Sequence, residues 1–265
     1  MTRESIGFYG RHMSSTSSRP VALITGSGAG LGEALARSFG GDGVRVVVTD
    51  ADEDAAHHVA TELNERAPGS ALPVGLDVTD ADAFEAAVDL AERTFGRLDH
   101  LINNAGLHLS AYSRPIGELS RDQLRAVVDV NVLGVVHGTL AARRLLAASG
   151  GNVVNLSSVA AYGVGSYGMY GVTKLAVRGL TVAFAQDLAG DGIRVNAVAP
   201  GLIATDNAVR ELDVATFDDF VGRQVLSRRG RPGDVVDAIR FLCSGQASFI
   251  TGETLKVSGG YPLIP

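Results

Sequence analysis

The chain has 265 residues, of which 46% are hydrophobic and 20% charged, the proportions of a globular protein able to bury a sizeable core in one large domain or two small ones. A formal charge of −6 without any long basic run argues against a nucleic-acid partner, and no uninterrupted apolar run approaches the roughly twenty residues a bilayer requires, so no membrane partner is expected. The single cysteine, Cys243, can make no internal disulfide; at helical spacing among the apolar residues of DAIRFLCSG it reads as a buried structural thiol in a reducing, cytoplasmic setting.

In chain order, the opening MTRESIGFYGRHMSSTSSRP has no apolar h-region and is rich in Ser, Thr and Arg. Residues 1–20 are therefore expected to form a flexible extension ahead of a fold that starts at Val21. Short, mostly β-branched runs then alternate with longer amphipathic stretches. The strand candidates are VALIT (21–25), VRVVVT (44–49), ALPVGL (71–76), LDHLIN (98–103), NVVNLS (152–157), IRVNAVA (193–199) and TLKVS (254–258). Helical patterns cover 31–40, 52–66, 80–95, 120–147, 169–189 and 232–243. Alternation of this kind predicts right-handed crossovers and one α/β domain, a doubly wound sheet of seven parallel strands with helices on both faces. One stretch breaks the rhythm: LIATDNAVRELDVATFDDFVGRQVLSRRG (202–230) is a long insertion between the sixth and seventh strands, and such connections carry function or move. Its acids alternate with Leu212, Val214, Phe217, Phe220 and Val221, which predicts a substrate lid near 202–225 with those side chains inward. The triplet Asn155-Leu156-Ser157 falls on a strand candidate and is a chance match to a glycosylation acceptor.

The first strand candidate runs into TGSGAGLGEALA, where Gly26, Gly30 and Gly32 follow a strand and open a helix. Glycine allows the tight turn and lets backbone N–H groups approach a pyrophosphate at the positive helix end, although the spacing is G-x-x-x-G-x-G and not the commoner G-x-G-x-x-G. Asp50 ends the second strand, eighteen residues after Gly32, where an acid would accept from the adenosine ribose hydroxyls or cap the next helix. A 2′-phosphate would be repelled there, and neither SGAG nor the residues after Asp50 bring a basic side chain, so NAD(H) is expected over NADP(H). Asp77 in LDVTD and the NNAG of residues 103–106 end the third and fourth strands, in register to meet adenine and its ribose or simply to turn the chain. In GMYGVTKLAV (168–177), Tyr170 and Lys174 stand one helical turn apart on one face. A cation so placed favours ionisation of a phenol whose unperturbed pKa is about 10, although a surface Tyr–Lys pair would look the same.

Together, TGSGAGLG, Asp77, NNAG, VNVLG around Asn131, NLSS, Tyr170-x-x-x-Lys174, RVNAVAPG and ITGETLKVSGG resemble the ordered motifs of the classical short-chain dehydrogenase/reductase family, from about residue 20 to 260. The resemblance implies a Rossmann-type domain and an oxidoreductase in which Tyr170 is the general acid/base. Lys174 would lower the Tyr170 pKa and hold the nicotinamide ribose, a serine would bond the substrate oxygen, and Asn131 would anchor a water beside Lys174. Ser158 aligns by the strand and by SSVA, whereas Ser157 aligns by counting thirteen residues back from Tyr170. Ser158 is favoured, because loops absorb deletions more easily than strands. The implied cofactor contacts are Gly26, Ser27, Gly30, Leu31 and Gly32 in the turn, then Asp50, Asp77 and Val78, then Asn104, Ala105 and Gly106. Tyr170, Lys174, Pro200, Gly201, Ile203 and Thr205 complete them, Thr205 resembling the position that bonds the carboxamide.

A secondary alcohol or ketone is the substrate class so implied. An NADP(H)-dependent ketoreductase of the 3-oxoacyl reductase type, or a non-redox epimerase or dehydratase on the same fold, are the alternatives. Segments 108–114, 159–168 and 202–225 would touch the substrate and offer apolar and hydroxyl surface with little charge, which suits a sugar-like, steroid-like or cyclic alcohol. His108 lines that pocket or is a solvated loop residue, and no histidine spacing suggests a metal. Helices 120–147 and 169–189 carry more apolar and small residues than one sheet face can cover; in this family the equivalents pair across a two-fold axis. A homotetramer is expected, with a dimer as fallback.

Overall fold

The computed structural model describes residues 19–107, 112–163 and 168–263; the extension expected at the N-terminus therefore falls almost wholly outside the described residues. Strands rich in β-branched residues leave water on both faces, and these do: β1 (Val21–Thr25), β4 (His100–Asn103) and β5 (Asn152–Leu156) are buried along their whole length. β2 (Arg45–Asp50) and β3 (Ala71–Gly75) lie to one side, and β6 (Arg194–Pro200) and β7 (Thr254–Val257) to the other. The sheet runs β3-β2-β1-β4-β5-β6-β7 with every neighbouring pair parallel.

Alternation along the strands feeds two cores. Ala22, Ile24, Val46 and Val48 point to the layer of α1 (Gly30–Gly41), α2 (Glu53–Arg66) and α9 (Pro232–Cys243), where Leu35, Phe39, Val59 and Ile239 meet them. Leu23, Val47, Leu101 and Val153 point the other way, onto Phe84 of α3 (Ala81–Phe95), Leu146 of α5 (Gly134–Ser149) and Phe184 of α6 (Gly168–Asp187). Truncating a fully buried Leu23 to alanine would cost about 2–5 kcal/mol, so the sheet is held rigid beneath whatever lies at its edge. The chain goes one way from β1 to β2 and the other way at β4, which opens a crevice between the carboxyl ends of β1 and β4.

The segment expected as one helix over 120–147 is three pieces: α4 (Arg121–Val128), a π-helical turn (Asp129–Leu133) and α5. The widened turn carries Asn131 inward, fully buried, as extra residues in π-turns often do at functional sites. By length and composition the whole run Arg121–Ser149 could cross a bilayer, which a search for uninterrupted apolar runs overlooks. One face of it packs on protein: a third of its apolar window is buried, Ala142, Leu145 and Leu146 are core, and Arg143 and Arg144 pair with Asp191 and Glu92 at 2.6 Å.

The insertion folds into α7 (Asp206–Glu211) and α8 (Val214–Arg223), tied down where Ile203 bridges to Gly230. Phe217 is buried and Leu212, Phe220 and Val221 are half-buried, as expected. Val214 is not: it is 65% exposed, because the first turn of α8, Asp213 to Ala215, overhangs its cover and is exposed throughout.

Candidate active site

A cleft of about 550 Å³ opens at the crevice. Its floor is the glycine turn between β1 and α1. Gly26 has φ of 62°, and a Cβ there would lie 2.9 Å from the Ala105 backbone; a Cβ on Gly32 would collide with the Gly26 carbonyl and stand 2.6 Å from Asn104 Nδ2. Only glycine lets these segments close on each other. Asn104 stitches them, its Nδ2 donating to the carbonyls of Thr25 (2.8 Å) and Gly26 (2.9 Å). Asn104, expected either to meet the cofactor or to turn the chain, lines the cleft with both amide protons given to the turn. α2, α3, α4, α7 and α8 begin on Asp, Ser or Thr side chains that accept an N–H, whereas α1 begins on Ala29 with no side-chain cap. The leading N–H groups of α1, including those of Leu31 and Gly32, therefore meet the cleft with the helix's positive end, and these residues fit a pyrophosphate.

Ser27, expected at the cofactor, is a correction. It is fully buried behind the turn, its hydroxyl donating to Ile24 O (2.8 Å) and accepting from Thr49 N–H (3.0 Å) while its own N–H donates to Thr49 O (2.8 Å). It rivets β1 to β2 and has nothing left for a ligand.

At one end of the cleft, Asp50 accepts from the N–H groups of Gly28 (2.9 Å) and Asp52 (3.1 Å). Asp52, not Asp50, caps α2, so the Asp50 carboxylate stays turned to the cleft it lines. Asp77 stands two residues past β3, accepting from Thr79 N–H (2.9 Å) and Oγ1 (2.8 Å); with Val78, whose carbonyl is 3.0 Å from His137 Nδ1, it forms the adjoining wall.

A group of Tyr170, Lys174 and Ser158 lines the cleft farther along. Tyr170 and Lys174 share the first turns of α6. Lys174 is buried, its Nζ donating to Leu156 O at 2.7 Å, and burial lowers its pKa from 10.5 to about 8. Ser158 hydrogen-bonds the Tyr170 phenol, while Ser157 Oγ donates to Lys174 O at 2.9 Å. In this geometry Ser158 reaches the phenol, and Ser157 pins the helix backbone. Burial raises the Tyr170 pKa above 10, against a smaller downward pull from Ser158. The lowering expected from Lys174 is absent from this arrangement because the ammonium is turned to Leu156 O and lies 5.8 Å from the ring centroid, over the face and not at the hydroxyl. Asn131 clamps Leu107, accepting from its N–H (2.8 Å) and donating to its carbonyl (3.0 Å).

Beyond Tyr170 the cleft is walled by Pro200, Gly201, Ile203 and Thr205. The Thr205 hydroxyl caps α7 by accepting from Ala208 N–H (3.2 Å), which leaves its own proton to donate. Leu107, Val159, Leu202, Leu212, Thr216 and Phe220 continue the wall. Most of these sequence reading did not single out, since nothing but their place in the fold marks them. Among the described lining residues the charged ones are Asp50, Asp77 and Lys174. His108 and residues 109–111 and 164–167 lie outside the described residues.

An uncapped helix behind a glycine turn, at the switch point of a doubly wound sheet, with a buried Tyr–Lys–Ser group at its far end, defines a dinucleotide-dependent oxidoreductase fold. Residues 26–262 match the family model described as enoyl-(acyl carrier protein) reductase. The chain is 39% identical over 246 residues to a cis-4-hydroxycyclohexanecarboxylate dehydrogenase of Sinomonas cyclohexanicum, covering 92% of this chain and 97% of that one. It is 36% identical over 256 residues to an L-2,3-butanediol dehydrogenase of Corynebacterium glutamicum, covering 91% and 97%. A solved 7α-hydroxysteroid dehydrogenase, complexed with NADH and 7-oxo glycochenodeoxycholic acid, matches with TM-score 0.83 and 32% identity over 94% of this chain and 98% of that one. The chain belongs to the classical short-chain dehydrogenase/reductase family and is an oxidoreductase.

Proposed function

We propose that the protein is an NAD(H)-dependent dehydrogenase that interconverts a secondary alcohol and its ketone, with Tyr170 as general acid/base. The observation that carries this reading is the buried group itself: a phenol bonded to Ser158, with Lys174 on its own helix face, facing a cleft that runs back to the uncapped end of α1. When bound, the nicotinamide would give or take the hydride. Tyr170 gives its proton to the substrate oxygen in reduction and takes it back in oxidation. Ser158 orients that oxygen. Lys174, with a pKa of about 8, is protonated at neutral pH and, turned from Leu156 O toward the hydroxyl, would supply positive charge beside the phenol.

Asp50 supports NAD(H) over NADP(H): a 2′-phosphate would meet a carboxylate already oriented by two N–H groups, and the one basic residue among the described lining residues, Lys174, belongs to the Tyr170 group and not to the Asp50 end of the cleft. Exposed Leu133 and Leu140 on one helical run and Val172, Leu175 and Val182 on α6 support pairing of these helices between copies, within a homotetramer. Initial rates with NAD⁺ and NADP⁺ at equal concentration, against a panel of neutral secondary alcohols, test the cofactor reading. Faster turnover with NADP⁺ would overturn it.

A further inference from the structure

The residue between the two catalytic groups of α6 is itself placed to act. Thr173 is buried, and its hydroxyl donates to the Tyr170 carbonyl at 2.8 Å. With its one proton spent there, Oγ1 can only accept on its other side. What it accepts is an Nδ2 proton of Asn131, at 3.1 Å. The other Nδ2 proton goes to Leu107 O (3.0 Å), and Asn131 Oδ1 accepts from Leu107 N–H (2.8 Å). The amide is thus held from the loop after β4 by Leu107 and from the catalytic helix by Thr173.

We propose that Thr173 is a positioning residue of the reaction, its hydroxyl tying the Asn131 amide to the turn of α6 that carries Tyr170 and Lys174 so that the amide oxygen borders the Lys174 ammonium. The gap in question is visible at Gly106, where a Cβ would lie 3.2 Å from Asn131 Oδ1 and 3.3 Å from Lys174 Nζ. An acceptor at that gap supports the charged form of Lys174 and, when the ammonium turns from Leu156 O toward the hydroxyl, the ionised phenol. Reversing the amide would put donors there instead. Every other group around Lys174 is neutral: Leu156 O at the end of β5 and Ser157 just after it, Gly106 from the β4 loop and Asn131 from the π-turn, which leaves Tyr170 as the titratable neighbour among the described residues. Thr173→Val is nearly isosteric but strands a fully buried amide proton and frees Asn131 from the helix.

The inference rests on the acid/base reading of Tyr170, so Tyr170→Phe is measured beside Thr173→Val, Thr173→Ser and Thr173→Ala. Expected for Thr173→Val is a fall in kcat of about tenfold, with KM for NAD⁺ within about twofold of the parent. The acidic limb of its kcat/KM profile for alcohol oxidation should move to higher pH, since the phenolate loses support. Thr173→Ser should restore kcat to within about threefold and return the limb to its parental position. Thr173→Ala carries the same readouts should the valine variant not fold. A valine or alanine variant with parental kcat and limb, whatever its melting temperature, overturns the inference, as does a serine variant as impaired as valine. If Tyr170→Phe is inactive while Thr173→Val is normal, this inference alone fails; if Tyr170→Phe keeps turnover, the acid/base reading falls and takes the inference with it.

Discussion

Replacing Ser157 and Ser158 by alanine, one at a time, should separate two neighbouring hydroxyls into two different jobs. Ser157 is 3% exposed and donates to Lys174 O at 2.9 Å. Losing a buried neutral hydrogen bond costs about 1 kcal/mol, and up to about 3 where the acceptor stays dry, which in a domain of this size lowers the melting temperature by about 2–4 °C per kcal/mol. Its turnover should stay within about tenfold of the parent, because the lost contact is to backbone and not to a reacting atom. Ser158 bonds the phenol and also accepts from Ala160 N–H at 3.2 Å. Its removal should lower the melting temperature by a similar amount, about 1 kcal/mol for a lost cap, yet reduce kcat by about 10²-fold or more, the loss typical of a donor aimed at the reacting oxygen. The assay is a thermal melt and an initial rate with NAD⁺ and one secondary alcohol for each variant. If Ser157→Ala loses more turnover than Ser158→Ala, the assignment drawn from the geometry is wrong.

Four further outcomes are expected. Lys174→Met should be inactive yet more stable than the parent at pH 7, by up to about 3 kcal/mol, because Lys174 must be charged at a folded pKa of about 8 against 10.5 unfolded. The folded parent binds fewer protons than the unfolded chain between those values, so its stability rises with pH there; melts of parent and variant should converge between pH 8 and 10.5, and a constant gap would contradict the burial argument. Asp50→Ala with Ala51→Arg should shift preference toward NADP⁺ in steady-state rates, by removing the repulsion and adding a phosphate partner. Amides of 205–222 should gain hydrogen-exchange protection when NAD⁺ is added, more than those of the sheet, if α7 and α8 form a lid; equal, high protection in both states would make them a fixed wall. Leu175→Asp, placed on the exposed stripe of α6, should lower the mass seen by light scattering, and a parental mass would remove that face from the assembly.

The strands were legible because burial on both faces demands unbroken β-branched runs, and every strand boundary lies within two residues of its run. The glycine turn was legible for the same steric reason: Gly26 and Gly32 stand where a Cβ has no room. Composition could not show which polar groups the fold itself consumes. Ser27 sits beside the turn in sequence but has its donors and acceptor committed to Ile24 and Thr49, and Asn104 gives both amide protons to the turn. Counting could not choose between Ser157 and Ser158 because the loop before Tyr170 can shorten, whereas the end of β5 cannot. The π-turn at Asn131 was invisible as well, since periodicity reads it as continuous helix. The Tyr170 pKa depends on where an ammonium points, and spacing along a helix sets only which face it shares.

In the proposed NAD⁺-linked reaction Tyr170 is the proton donor and acceptor. Tyr170→Phe keeps the ring and its packing and removes only the hydroxyl, so NAD⁺ binding by calorimetry and kcat for alcohol oxidation, measured on the same preparation, test that claim most directly. Parental NAD⁺ affinity together with a loss in kcat of about 10²–10⁴-fold is the result expected of a missing general acid/base. A variant that binds NAD⁺ as the parent does and turns over within about threefold of it would contradict the account.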